Sequence, residues 1–164
     1  PSRMQLGIVA IGQMRGMAEM ALVENFHQRI DASGRQLGIT GLFISELREK
    51  RGLTGSEKKR TENALIADAL ANRNGLVVAL DETGKSITSR IFAEHMQGWL
   101  NNGLNEVTFV IGGADGLDDA TRARADMLLS LGPMTWPHML ARVLLCEQIW
   151  RAISILTRHP YHRD

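Results

Sequence analysis

The 164-residue chain is predicted to be one α/β domain, a mostly parallel sheet with helices on both faces. Two observations predict it. Leu6 to Ile11, Leu76 to Leu80 and Val107 to Ile111 are short, unbroken apolar runs, the pattern of strands covered on both sides. Amphipathic stretches alternate with them, which is the order a parallel sheet requires for its crossovers. A hydrophobic content of 44% and a charged content of 23% fit a globular domain long enough for a sizeable core.

The elements follow in order. Leu6 to Ile11 ends at Gly12, and Gly16 to Ile30 carries Met17, Met20, Ala21, Val23 and Phe26 near one helical face. Gly12 and Gly16 lack the spacing of a dinucleotide loop, so they read as a strand-to-helix turn. Gly41 to Leu47 is a second strand. It leads into the most charged region, Arg48 to Glu62, with Arg48, Lys50, Arg51, Lys58, Lys59 and Arg60. That run reads either as a solvated loop opening the next helix or as a phosphate-contacting patch. A short helix spans Thr61 to Ala71. The strand Leu76 to Leu80 then runs into Asp81, Glu82, Thr83 and Gly84, a tight turn where open α/β sheets bind ligands. Lys85 to Leu100 is a helix with Ser86 as its cap.

Val107 to Ile111 is followed by Gly112, Gly113, Ala114, Asp115 and Gly116. Paired glycines at a strand end allow close backbone approach and positive φ, either for a ligand or for a sharp turn. A phosphate loop is excluded because no Gly-Lys-Ser/Thr ending follows. Asp118 or Asp119 starts a helix to about Leu129, and Met134 to Trp136 is a short strand. Pro137 suits the first helical position of about twenty residues of mostly apolar helix. Glu147 precedes Arg151 by one turn, the favourable order for an ion pair. Pro160 ends the helix, leaving the basic aromatic tail His159, Tyr161, His162 and Arg163.

No apolar run reaches the length of a membrane span, because Arg142, Glu147, Gln148 and Arg151 interrupt the longest one. The N-terminus enters a strand without a secretory pattern, so a cytoplasmic protein is expected. Cys146 lies among apolar neighbours and reads as a buried hydrophobe. Neither it nor the five histidines has metal-ligand spacing. A net charge of +1 requires any RNA-binding surface to be clustered.

The ordered motifs LDETGK (Leu80 to Lys85), IGGADGL (Ile111 to Leu117) and PHMLARVLLCEQIWRAISILTRHPYHRD (Pro137 to Asp164) resemble those of the RlmH family of SPOUT methyltransferases. The resemblance covers the last half of the chain closely and the first half loosely. It implies one SPOUT domain over residues 1–164, with a trefoil knot in about 105–157 and a tail at 158–164. It also implies transfer of a methyl group from S-adenosylmethionine to N3 of a pseudouridine in large-subunit ribosomal RNA, on the ribosome. The positions matching the cofactor site are Leu80, Gly112, Leu131, Gly132, Pro133, Met134, Thr135 and Trp136. Gly132 and Pro133 depart from the small, flexible residues expected there, and Pro133 lacks a backbone donor. Arg163, Tyr161, His138 and Arg142 are the candidates for catalysis and substrate handling, Arg142 reading otherwise as the partner of an acid and His138 as a side chain hydrogen-bonded within the knot. His138 starts a helix, where the dipole favours a neutral ring able to accept a proton. A homodimer is expected, the tail of one subunit completing the pocket of the other. The competing reading is an RNA- or ribosome-binding module that keeps the fold without the chemistry.

Overall fold

The apolar run near the N-terminus forms β1 (Met4–Ile11), whose even-numbered side chains Leu6, Ile8 and Ala10 and odd-numbered Val9 are all fully buried. Both faces of the strand are covered, as its continuous hydrophobicity requires. The computed structural model describes residues 3–164. Along the chain β1 is followed by α1 (Met20–Gly34), a 3-10 turn (Arg35–Leu37), β2 (Ile39–Leu47), α2 (Gly55–Leu70) and β3 (Leu76–Ser86). Then come α3 (Ser89–Asn101), β4 (Glu106–Ile111), α4 (Asp119–Arg124), β5 (Met127–Ser130) and α5 (His138–Leu156).

The sheet is parallel throughout, with strand order β2-β1-β4-β3-β5. Leu6, Ile8 and Ala10 share a core with Val23 and Ile30 of α1, Phe92, Met96 and Trp99 of α3, and Leu145, Ile149 and Ile153 of α5. Val9 faces the other way, into a smaller core with Ile66 and Leu70 of α2 and Val110 of β4. Gly7 is small for a packing reason: a Cβ there would lie 2.0 Å from the Phe43 ring of the neighbouring strand.

The last helix is buried over most of its girth by its own chain. Leu145, Cys146, Ile149 and Ile153 have no exposed surface, while Leu140 near its start is 40% exposed. Each fully buried leucine or isoleucine contributes about 1.5–3 kcal/mol of burial free energy. Pro137 is the N-cap, with φ −56° and ψ 141°, one position before the first helical residue where the sequence placed it.

Five further expectations are corrected. The turn at Asp81 to Gly84 lies within β3, as an excursion between Leu80 and Lys85, both of which pair with Leu129. The strand resumes beyond it, so α3 starts later and is capped by Thr88, whose side chain accepts from the Ile91 N–H at 3.1 Å, rather than by Ser86. The helix expected from Asp119 to Leu129 stops at Arg124, and Met127–Ser130 joins the sheet edge as β5. Met134 to Trp136, expected as a strand, is loop. The charged region is helical from Gly55, earlier than Thr61, so Lys58, Lys59 and Arg60 belong to the first turns of α2.

Candidate active site

Beside the excursion in β3 and beyond the carboxyl ends of β4 and β5 the chain forms a cavity of about 390 Å³. Leu80 and the excursion residues Asp81 and Glu82 form one wall. Gly112 to Leu117 form the second, and Leu131, Gly132, Met134, Thr135 and Trp136 the third. Parallel strands deliver their ends to the same side of the sheet, so residues far apart in sequence converge there. Of the positions matched to a cofactor site, Pro133 alone is not in the wall. Its missing N–H therefore removes no donor from the cavity.

The glycine turn after β4 is held by close packing. A Cβ on Gly113 would meet Glu62 Oε1 at 2.7 Å, and one on Gly112 would meet Leu117 at 3.0 Å. Positive φ occurs later in the loop, at Gly116 (φ 79°), where the Gly116 N–H donates to the Gly113 carbonyl at 3.0 Å. Asn63 of α2 holds this turn from below. Its amide donates to the Lys59 and Gly116 carbonyls, and its oxygen accepts from the Asp118 N–H and the Thr121 hydroxyl. Glu62, 2% exposed, accepts from the Lys50 N–H at 3.0 Å and so joins the charged loop to the same helix.

The third wall is fixed by its own first residues. Ser130 Oγ accepts from the Gly132 N–H at 3.1 Å and lies 3.0 Å from the Gly132 carbonyl. Gly132 has φ 107°, which explains a glycine at this position. The Trp136 indole donates to the Leu131 carbonyl at 3.4 Å, closing the loop. Met134 is 72% exposed and Trp136 41% exposed, so the rim presents apolar surface to whatever enters.

His138 lines the cavity at the start of α5 and is half-buried. Burial pushes its imidazole below the ordinary histidine range, with Glu49 acting in the opposite direction. A ring held neutral is able to accept a proton. Arg142, one turn further, does not reach the cavity. It is 1% exposed, pairs with Glu46 and donates to the Ile11 and Gly12 carbonyls at 3.3 and 2.9 Å. It is a clamp between α5 and the end of β1: of the two sequence-based readings, the pairing with an acid is the one observed, and substrate handling is corrected accordingly.

The tail follows the far end of α5 and turns back along that helix. The Tyr161 hydroxyl donates to Glu147 at 2.8 Å, and its ring packs on Trp150 with centroids 5.6 Å apart. Tyr161 thus has a packing role that its sequence context did not reveal. His162 contacts Arg151 at 3.1 Å, and Asp164 pairs with Arg90 at 2.7 Å. Arg163 is exposed and forms no ion pair among the described residues. The structure does not bring the tail to the cavity of its own chain.

Sequence reading missed Arg122, which brings charge to the cavity beside Asp115 of the glycine turn and Lys59 of the charged run. Arg122 donates to the Leu117 carbonyl at 2.6 Å and lies 3.5 Å from Asp81, so it ties the second wall to the first. No sequence spacing signals that contact. Among the described residues no cluster of three or more His, Cys, Asp or Glu could hold a metal.

Comparison with known proteins gives concordant results. The family described as "Predicted SPOUT methyltransferase" matches residues 4–162. "Ribosomal RNA large subunit methyltransferase H" of Allorhizobium ampelinum is 44% identical over 161 residues, covering 98% of this chain and 100% of that protein. The protein of the same name from Paramagnetospirillum magneticum is 46% identical, covering 98% and 99%. Among solved structures, "a probable methylase family protein from Haemophilus influenzae Rd KW20" is similar in fold, with TM-score 0.50 and 12% identity. That match covers 98% of this chain and 70% of the other.

Proposed function

The chain belongs to the SPOUT methyltransferase family, and from that premise we propose that it methylates N3 of a pseudouridine in large-subunit ribosomal RNA, using S-adenosylmethionine. The observation that carries this reading is the cavity in which Leu80, Gly112 and the Leu131 to Trp136 loop meet. Its size suits a nucleoside-sized ligand. Leu80, Met134 and Trp136 offer faces for an adenine ring, and the Gly112 to Gly116 turn offers backbone groups unobstructed by side chains. The methyl donor supplies a sulfonium-bound methyl group that needs no further activation.

The work left to the protein is positioning and proton removal. Holding two reactants in line is worth about 7–11 kcal/mol of barrier. The imide N–H of the base must lose its proton before the nitrogen becomes a good nucleophile. Neutral His138, on the cavity wall, is placed to take it. An arginine beside the base would favour the deprotonated imide, and Arg163 is the free candidate.

We assign that arginine to a second copy, because no tail residue lines the cavity of its own chain. A homodimer in which one tail completes the other's cavity fits the exposed apolar side chains Trp136 and Leu140 beside it, 41% and 40% exposed. A trefoil knot within about 105–157 is part of the same reading. It is supported by the Leu131 to Trp136 loop and the Gly112 to Leu117 turn lining one cavity while α5 docks on the end of β1. A cytoplasmic location, where ribosomal RNA is available as substrate, is part of the same proposal. A ribosome-binding module without chemistry is disfavoured by the relatives' names and by the intact cavity.

The test is methyl transfer from labelled S-adenosylmethionine to ribosomes lacking this modification. Wild type should transfer, whereas Arg163→Ala and a chain ending before His159 should not. Cofactor binding without transfer by the wild type would overturn the proposal in favour of the non-catalytic module.

A further inference from the structure

His138 belongs to two cavities. Across it from the cofactor cavity lies a second, of about 500 Å³, bounded by Gln13, Met17, Arg48, Glu49, Arg51 and Met139. A methyl acceptor must approach to within about 3–3.5 Å of the donor carbon, so it has to arrive from space adjoining the first cavity. The second cavity adjoins it at the one side chain suited to taking the acceptor's proton.

Its lining has the chemistry of a nucleotide. Met17 and Met139 are adaptable apolar walls for a planar ring. The exposed amide of Gln13 offers both donors and an acceptor for a carbonyl-bearing edge. Arg48 forms no ion pair among the described residues, and the Arg51 side chain is 89% exposed, 3.7 Å from Glu49. Glu49 is already neutralised by Lys58 at 3.1 Å, whose hydrogen bond holds its carboxyl below the usual range. Positive charge therefore remains for an anion.

The walls are also built. Lys50, between the two arginines, is held by Glu62 at 3.0 Å, and the Leu53 N–H donates to its carbonyl at 3.2 Å. Met14, beside Gln13, donates its N–H to Glu46 at 2.9 Å, the same carboxylate that pairs with Arg142.

We propose that this second cavity seats the acceptor nucleotide of the RNA, an imide-bearing pyrimidine base against Met17 and Met139, with Arg48 and Arg51 on its flanking phosphates. The site lies on the same chain as the cofactor cavity, and it gives the charged run after β2 a substrate-binding role. The proposal rests on the methyl-transfer reading above, and its test separates the two.

Binding of large ribosomal subunits lacking the modification would be measured across a range of salt, with S-adenosylhomocysteine present. Wild type, Arg48→Gln, Arg51→Gln and the double variant would be compared, together with their S-adenosylmethionine affinity and methyl transfer. Each arginine removed should weaken subunit binding several-fold and flatten the slope of log K against log salt by about 1. KM for the subunit should rise while kcat and cofactor affinity hold. An unchanged affinity and slope in the double variant would overturn the site, as would a parallel loss of cofactor affinity. Arginine-dependent subunit binding without methyl transfer by the wild type would uphold the site and overturn the methyl-transfer reading. Transfer undiminished in the double variant would do the reverse.

Discussion

Arg142 and Glu46 lie 96 residues apart in sequence and form an ion pair with N and O atoms 2.5 Å apart, the arginine buried and the carboxylate side chain 32% exposed. The same Glu46 oxygen accepts the Met14 N–H at 2.9 Å. One carboxylate thus joins β2, the loop after β1 and the first turns of α5. His138 starts that helix, so the pair sets where His138 stands. Removing one member of a buried pair leaves the other uncompensated. Glu46→Ala is expected to cost about 3 kcal/mol in urea unfolding, and Glu46→Gln less, because it still accepts from Met14. An unfolding midpoint unchanged in Glu46→Ala would refute the clamp.

Asn63→Ala removes four hydrogen bonds and leaves the buried Thr121 hydroxyl without its acceptor at 2.7 Å. A loss of about 2–3 kcal/mol is expected. Calorimetry should also record weaker S-adenosylmethionine binding, because the Gly112 to Leu117 turn loses its support.

Neutral His138 makes the fold sensitive to acid. Its folded pKa is below the ordinary value of about 6.5 because burial disfavours the charged ring. Between those two values the unfolded chain binds more protons, so acidification favours unfolding. The contribution is complete above the unfolded value and is lost as pH falls through the folded one. His138→Gln should show a flatter stability profile across that window. Equal acid sensitivity in variant and wild type would count against the assignment.

Cys146 has no exposed surface, and burial pushes its thiol up to about 12. The thiolate is the reactive form. A disulfide reagent at neutral pH should label the native protein only as fast as it opens, and should label it at once in denaturant. Immediate labelling of the folded chain would contradict this packing.

Arg163→Ala touches an exposed side chain and should leave stability within about 0.5 kcal/mol while abolishing transfer. Gly113→Val, whose first added carbon would meet Glu62 at 2.7 Å, should disrupt the cofactor cavity. Mixing the two inactive chains should restore activity if the tail acts on the partner's cavity. Failure to restore it in verified mixed dimers would exclude that arrangement.

Local pattern made most of the fold legible. The runs Leu6 to Ile11 and Val107 to Ile111 were readable as strands because both faces are covered, which leaves no polar alternation to misread. The last helix was readable from its length, and the meeting of Leu80, Gly112 and Leu131 to Trp136 from motif order. Local pattern failed at β5. Met127 to Ser130 continues a helical pattern, yet Asp126 donates its N–H to the Val77 carbonyl and accepts the Val77 N–H on its side chain, both at 2.8 Å. An open sheet edge offered paired backbone groups, and that outweighed a weak helical preference.

The sequence by itself determined the α/β alternation, an apolar last helix that is either buried or shared between subunits, and the residue types that gather at the cavity. The first two depend on periodicity and on glycine and proline chemistry, which act within a few residues, and the third is what the resemblance of the ordered motifs to a known family implies. Only the tertiary structure decided that Arg142 is a clamp, that Tyr161 packs on Trp150, and that His138 stands between two cavities. Each depends on which side chain a distant segment brings within a few ångströms, and that is set by the packing of the whole chain.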